Sequence, residues 1–413
     1  MRPAREPIRV AVRSSAVRDA AGCGCWGGVR MSSVSFGRVG LMSSGEIQVP
    51  DTQRAADIEA RQQAVVRLLE DGGFDGLLLQ QPENVAWFTA GADSLGIREG
   101  GVALFVTRDA RVVLCSNVDS GELFDQQISG LGFQLKERPW HEPRHVLIED
   151  MCRGRKVASD NGFPETACVA DKLRDLRLPL SERECERLRA LGRAVAHAVE
   201  ATCRNMEHGE TEQAIAGQVA HRLWKRGVHP VRIQVWADGQ GHRYRHWLAG
   251  EDAVERYCTV AAIGRRDGLH VGCSRTVCFG DVPAELKSAH NKAMLIQATG
   301  FYFSKAGWEL FETWCRIARI FEKFGYPEEW QLAEQGEVVG YSRCEEPVTM
   351  KSQFVLAAGM PVHWHPSVGP ALAADTILVT ESGPELLTPM EVWPRLTVDV
   401  KNSSIHRPDI LRR

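Results

Sequence analysis

The 413 residues contain no run near the roughly 18 consecutive apolar positions of a membrane-spanning helix, so a membrane partner is not expected. No Cys-x-x-Cys pair occurs among the 12 cysteines, and only Cys23 and Cys25 lie within two residues of each other. That scatter disfavours a disulfide framework and points to reduced, mostly buried thiols in a cytoplasmic protein. Charge of one sign is also missing: 50 Lys and Arg against 53 Asp and Glu leave a net charge of −3. The basic clusters at Arg153 to Lys156, Arg243 to Arg245 and Arg265-Arg266 are too short for the one-signed surface that nucleic acid requires. Gly239-Gln240-Gly241 is followed by no Lys or Ser/Thr at Walker spacing, which removes a phosphate loop.

What is present is the composition of a globular chain, 44% apolar and 25% charged, long enough for two or three domains. The first 42 residues stand apart, with seven Arg, no Lys, one Glu and one Asp, and no apolar stretch of secretory type. Residues 1–50 are therefore expected to be a disordered leader or to precede the true start, with Met31 and Met42 as alternative initiators; an organellar transit segment is the other reading.

From Asp51 the pattern becomes regular. Ile58, Ala64, Val65, Leu68 and Leu69 fall at helical spacing and predict a helix over 52–69, stopped by Gly72-Gly73. Short apolar runs at 76–79, 102–107, 112–116 and 157–159, split by turn residues, read as strands, so 51–178 forms a small α/β domain. Ser181-Glu182-Arg183-Glu184 is a capping box that opens a long helix and marks the start of a second domain, 181–405. A further helix runs from about Thr211 to Gly227. Strands are expected at 259–263, 274–279, 360–365, 376–380 and 386–387, with helices over 286–303 and 308–324. The fold class is α/β in the broad sense (α+β), with helices packed on an antiparallel-rich sheet.

Several motifs in fixed order carry a resemblance. They are Pro82 to Gly91, Leu180-Ser181-Glu182, Arg245-His246, Ser274-Arg275-Thr276, Glu345-Glu346-Pro347, Gly359-Met360-Pro361 and Asp375 to Thr380. Together they resemble the creatinase and aminopeptidase P family over about residues 55–410, in which Pro82 to Gly91 is similar to a strand and loop. The resemblance implies a creatinase-like N-terminal domain followed by a pita-bread domain. It also implies a homodimer, in which the first domain packs against a neighbouring subunit.

Family members that are metallopeptidases hold two divalent ions with two Asp, one His and two Glu, whose negative charge lets two dications sit close together. The resemblance places these ligands at Ala261 or Ala262, Gly272, Ala333, Glu345 and Ala374, so only Glu345 retains a donor. Asp375 does not substitute for Ala374, because a one-residue shift along a strand turns the side chain to the other face. No metal and no cofactor are therefore expected.

Creatinase, which cleaves a C–N bond without metal, supplies the alternative chemistry. His246 matches its proton-carrying histidine, and Glu345 would orient it or bind a cationic group. Arg275, His363, His365 and Asp375 are the expected substrate-binding residues, with a structural salt bridge as the other reading of Arg275. His363 and His365, two apart on a strand, share a face and with His242 or His246 would make a mononuclear zinc site. Cys273 is a candidate nucleophile or, more commonly for such a residue, a buried apolar thiol. The expected activity is metal-independent C–N hydrolysis of a small nitrogen-containing molecule or short peptide. A catalytically inactive binding module and an aminopeptidase with a rebuilt metal site are the alternatives.

Overall fold

The computed structural model describes residues 51–92, 101–239 and 245–413, all within one compact unit. The leader and His242, on which sequence expectations rest, lie outside the described residues.

Helix α1 (Thr52–Gly72) begins where the Asp51 carboxylate accepts the Arg54 amide at 3.1 Å, and it ends at Gly73, whose φ of 60° is a left-handed cap. Its apolar face, Ile58, Val65 and Leu69, is buried against a mixed sheet. The sheet contains β1 (Gly76–Leu79), β2 (Ala103–Val106), β3 (Arg111–Ser116), β4 (Gln134–Arg138), β5 (Val157–Ser159) and β6 (Ala167–Cys168), in the order β4-β3-β2-β1-β5-β6. Along β1, Leu77 and Leu79 enter one core while Leu78 enters another, because successive strand side chains point to opposite faces.

The segment expected to be strand and loop at Pro82 to Gly91 is instead helix α2 (Pro82–Phe88), ending in a turn at Ala90 and Gly91. Proline at the first helical position needs no amide partner and presets φ, and no β-branched run follows to favour a strand. Helices α3 (Arg144–Cys152) and α4 (Ala170–Arg177) complete this region.

The predicted capping box is formed: Ser181 and Glu184 bond reciprocally at the head of α5 (Glu182–Asn205). This helix buries Leu188, Leu191, Val195 and Val199, each contributing roughly 1.5–3 kcal/mol by leaving water. Helix α6 (Glu212–Trp224) follows. The two helices cover β7 (His229–Ala237), β8 (Tyr257–Arg266) and β9 (Leu269–Cys278). Helices α7 (Ala284–Phe303) and α8 (Leu310–Lys323) form the corresponding layer for a second sheet, with α8 resting on α7.

That sheet is built from β10 (Gly336–Val338), β11 (Glu346–Pro347), β12 (Pro361–Trp364), β15 (Asp375–Thr380) and β16 (Gly383–Leu386), in the order β11-β10-β12-β15-β16. Short pairs β13 (Ser367–Val368) with β14 (Ala371–Leu372), and β17 (Arg395–Val400) with β18 (Ser403–Pro408), flank it, while β19 (Leu411–Arg412) adds to β9. The two curved sheets meet where the Ser274 amide donates to the Ala374 carbonyl at 2.8 Å and the Gly272 amide to Thr376 Oγ1 at 3.0 Å. This seam is the floor of a cleft.

Buried polar contacts tie the first region to the second. Glu184 accepts from Arg61 at 2.7 Å and from the Tyr341 hydroxyl at 2.6 Å. Arg177 pairs with Glu345 and also reaches Asn84, which in turn donates to Asp160 at 2.9 Å. Removing one member of such a buried pair strands the other charge out of water, which is what holds the two regions in one register.

Candidate functional site

Strand register assembles the site. Glu337 on β10 lies opposite His363 on β12, and His363 lies opposite Thr376 on β15, so the three project to one face. His365, two residues beyond His363, joins them, with the two imidazoles stacked at 4.9 Å between centroids. Glu337, His363 and His365 line a cleft of about 740 Å³, part of it continuous with bulk solvent. Arg232, Arg245, His246 and Glu334 line it as well.

The hydrogen bonds fix the state of each group. Thr376 Oγ1 has one hydrogen, and it is committed to the Gly272 carbonyl at 2.9 Å, which cannot donate in return. With that hydrogen on the carbonyl, His363 Nδ1, 3.0 Å from the same oxygen, is the donor and its Nε2 carries the lone pair. That nitrogen has no partner among the described residues. Burial first, then the neighbouring His365, pushes the His363 pKa down to about 4, so the ring is neutral. His365 Nε2 meets Glu337 Oε2 at 2.6 Å. Burial pulls the Glu337 carboxyl upward, but His365 and His363 outweigh it and hold the group below its ordinary range, as an anion.

At the mouth, His246 is half-exposed. Its Nδ1 receives the Arg232 guanidinium, so Nε2 carries the proton and donates to Glu334 Oε2 at 3.2 Å. Arg245 is neutralised by Glu329, whereas Arg232 has no carboxylate partner among the described residues.

The expected site residues thus divide. His246, His363 and His365 share the cleft. Glu345 does not line it: its carboxylate is committed to Arg177 and to the Ser342 amide at 2.9 Å, and the carboxylate beside His246 is Glu334. The expected His246 and Glu345 couple is corrected accordingly.

Arg275 and Asp375 are also corrected. They lie behind the floor, 1% exposed each, in a buried network of Arg275, Glu200, Asp375 and Arg407. Arg275 also donates to the carbonyls of Ser274 and Thr388, and its burial behind the floor keeps it from a substrate. Cys273 does line the cleft, but burial pushes its thiol well up, which keeps it protonated and inert.

Glu337, Glu334 and Arg232 were missed in the sequence. A lone carboxylate between Gly336 and Val338-Val339 in an apolar run was the available signal, since Glu is rarely buried without a partner.

A two-layered α/β fold in which helices enclose curved sheets around a histidine- and carboxylate-lined cleft defines the pita-bread class. Residues 186–381 match the model for metallopeptidase family M24. The Xaa-Pro dipeptidase of Pyrococcus furiosus is 21% identical over 351 residues, 81% of this chain and 99% of that one. An uncharacterised peptidase of Staphylococcus haemolyticus is 22% identical over 78% of this chain and 97% of its own length. Among solved structures, the prolidase of Pyrococcus horikoshii superposes with a TM-score of 0.70 at 19% identity, covering 82% of this chain and 99% of that one. The N-terminal domain of the FACT complex subunit SPT16 from chickpea does so at 0.61 and 14% identity, covering 82% and 96%. Residues 186–381 thus resemble metallopeptidase family M24, and the fold of the chain is the pita-bread fold of the prolidases.

The dinuclear centre of the family's metallopeptidases does not fit these residues. Ala261, Ala262, Ala333 and Ala374 present only methyl groups to the cleft. At Gly272 a β-carbon would fall 2.8 Å from His363 Cε1, so the imidazole occupies the space a carboxylate there would need.

Proposed function

We propose that the chain is a hydrolase of a C–N bond in a short peptide or small amino-acid-derived molecule. The observation that carries this reading is the cleft itself, where Arg232, which has no salt-bridge partner among the described residues, stands beside a histidine whose proton is held on a defined nitrogen. Arg232 is placed to receive a substrate carboxylate, a bond its planar fork makes well. Water adds across the scissile bond, its hydroxyl going to carbon and a proton to nitrogen. His246 Nε2–H supplies the proton to the leaving nitrogen, and Glu334 accepts the one released by water. Catalysis without the dinuclear centre is part of the proposal, since its donor positions are filled by Ala and Gly. A homodimer is proposed from the family resemblance, and light scattering tests it: a mass near the 45.8 kDa of one chain rejects it.

The test of function is turnover of a panel of dipeptides and N-substituted amino acids. His246→Ala should lower kcat by about 100-fold or more, the usual share of a positioned acid. Arg232→Gln should raise KM by at least about tenfold for substrates carrying a carboxylate and leave uncharged ones unchanged. The loss of four donor positions favours a second reading, a binding module. Saturable binding of panel members with no turnover would establish that reading and reject hydrolysis.

A further inference from the structure

We infer that Glu337, His363 and His365 form a mononuclear site for one divalent transition-metal ion of the zinc class, with a composition unlike the five-residue dinuclear set. Their donor atoms all lie within 4.8 Å of one another. Two imidazoles and one carboxylate on neighbouring strands are a donor set suited to zinc, with a fourth position left open to the cleft.

Two further observations point to a ligand there. His363 lines the cleft while only 5% exposed, and its Nε2 has no hydrogen-bond partner among the described residues. Its other nitrogen meets Thr376 Oγ1 at 3.0 Å, the kind of contact that orients metal-binding histidines. The ring also sits where Gly272 leaves space, so the missing β-carbon and the added imidazole are one change: a donor from β12 takes the place of a donor from β9. In the metal-free state the proton between His365 Nε2 and Glu337 stands where the ion would bind; entry of the ion displaces it and leaves both atoms as ligands.

This site stands apart from the hydrolytic reading, because its test measures binding and not turnover. The full chain is stripped with chelator and titrated with Zn²⁺ by calorimetry, and with Co²⁺ by visible absorption. One equivalent of Zn²⁺ per chain is expected, and X-ray absorption of the zinc-loaded protein should show two imidazoles at about 2.0–2.1 Å. His363→Ala, His365→Ala and Glu337→Gln should each weaken binding at least about tenfold. Thr376→Val removes the hydroxyl that orients His363 together with its two bonds to the Gly272 backbone, and in a variant shown by circular dichroism to stay folded it should weaken binding by about 10–100-fold. His246→Ala should leave the stoichiometry at one. No saturable binding, two equivalents, a spectrum without imidazole, or retention by the folded variants would each overturn the site. Should the alanine variants fail to fold, the absorption spectrum of the unmodified chain and the Thr376→Val titration decide it.

Discussion

Two polar clusters lie on opposite sides of strand β15, and they are finished to different degrees. Asp375 turns to the interior and completes a network of two guanidinium and two carboxylate groups, joined by Thr388 at 2.7 Å and by Gln297, which accepts from Arg407 at 2.8 Å. Each nitrogen of the Arg275 guanidinium has an acceptor. Thr376, the next residue, turns the other way and orients a cleft histidine whose second nitrogen has no hydrogen-bond partner among the described residues. Burial alone therefore does not mark a functional group. The closed network has nothing left to offer a ligand, while the cleft cluster keeps a lone pair in reserve.

The largest effect expected from breaking this contrast lies in the closed network. Asp375→Ala leaves Arg275 and Arg407 buried with only Glu200 between them, and should lower the unfolding free energy by about 3–5 kcal/mol. His363→Ala should cost about 1 kcal/mol or less, because a neutral ring with one hydrogen bond is lost and the cleft can admit water. Denaturant midpoints of the two variants test the pair. A greater loss at His363 would reverse the assignment of structural and functional cluster.

Acid provides a second separation, between a histidine sealed in the core and one that faces the cleft. His290 Nε2 donates to the Pro408 carbonyl at 3.0 Å, and its Nδ1 is buried without a partner, so burial depresses its pKa to about 4. The unfolded chain binds that proton near pH 6.5 and the folded chain only near 4. The stabilising contribution is complete above pH 6.5 and is lost as pH falls toward 4, by about 3 kcal/mol in all at roughly 1.4 kcal/mol per pH unit. His290→Gln keeps a donor toward Pro408 and removes the titration. Urea stability measured from pH 7 to 4.5 should fall less steeply in that variant; identical slopes would show that His290 is not the group involved.

The fold was legible wherever the signal is local. The capping box at Ser181 and Glu184, the apolar spacing of α1 and the runs of β8, β9 and β15 are decided by neighbours a few residues apart. The site was only partly legible, because its meaning lies in distant partners. Arg275 looked like a candidate substrate anchor because Glu200 and Asp375, 75 and 100 residues away, are invisible to spacing. Glu345 was expected in the site from the resemblance, and its partner Arg177, 168 residues away, is equally invisible to spacing. An irregular turn separates β10 from β11, so counting residues does not reveal which carboxylate enters the cleft and which meets Arg177. His363 and His365 were legible because a two-residue spacing on a strand fixes their common face. The helix at Pro82–Phe88 was misread because the family resemblance outweighed the local helix-start signal of Pro82 and Glu83.

The smallest expected effect bears most directly on how the cleft came to hold an imidazole. A β-carbon on residue 272 would lie 2.8 Å from His363 Cε1 and 2.9 Å from Ile263 Cγ1, closer than packed carbons tolerate. Gly272→Ala must push one of them aside. Ile263 belongs to the paired strand β8, directly opposite Gly272 in register, and is the less able to yield. The His363 ring borders the open cleft and gives way first, losing its alignment with Thr376 Oγ1. Overpacking of this kind costs about 1–3 kcal/mol, and the low end is expected here because the displaced ring has space on one side. His363→Ala removes the obstacle, so the double variant should recover most of that loss. If Gly272→Ala is equally destabilising with and without His363, the strain falls on Ile263, and the glycine serves the packing of β8 on β9 instead of the imidazole.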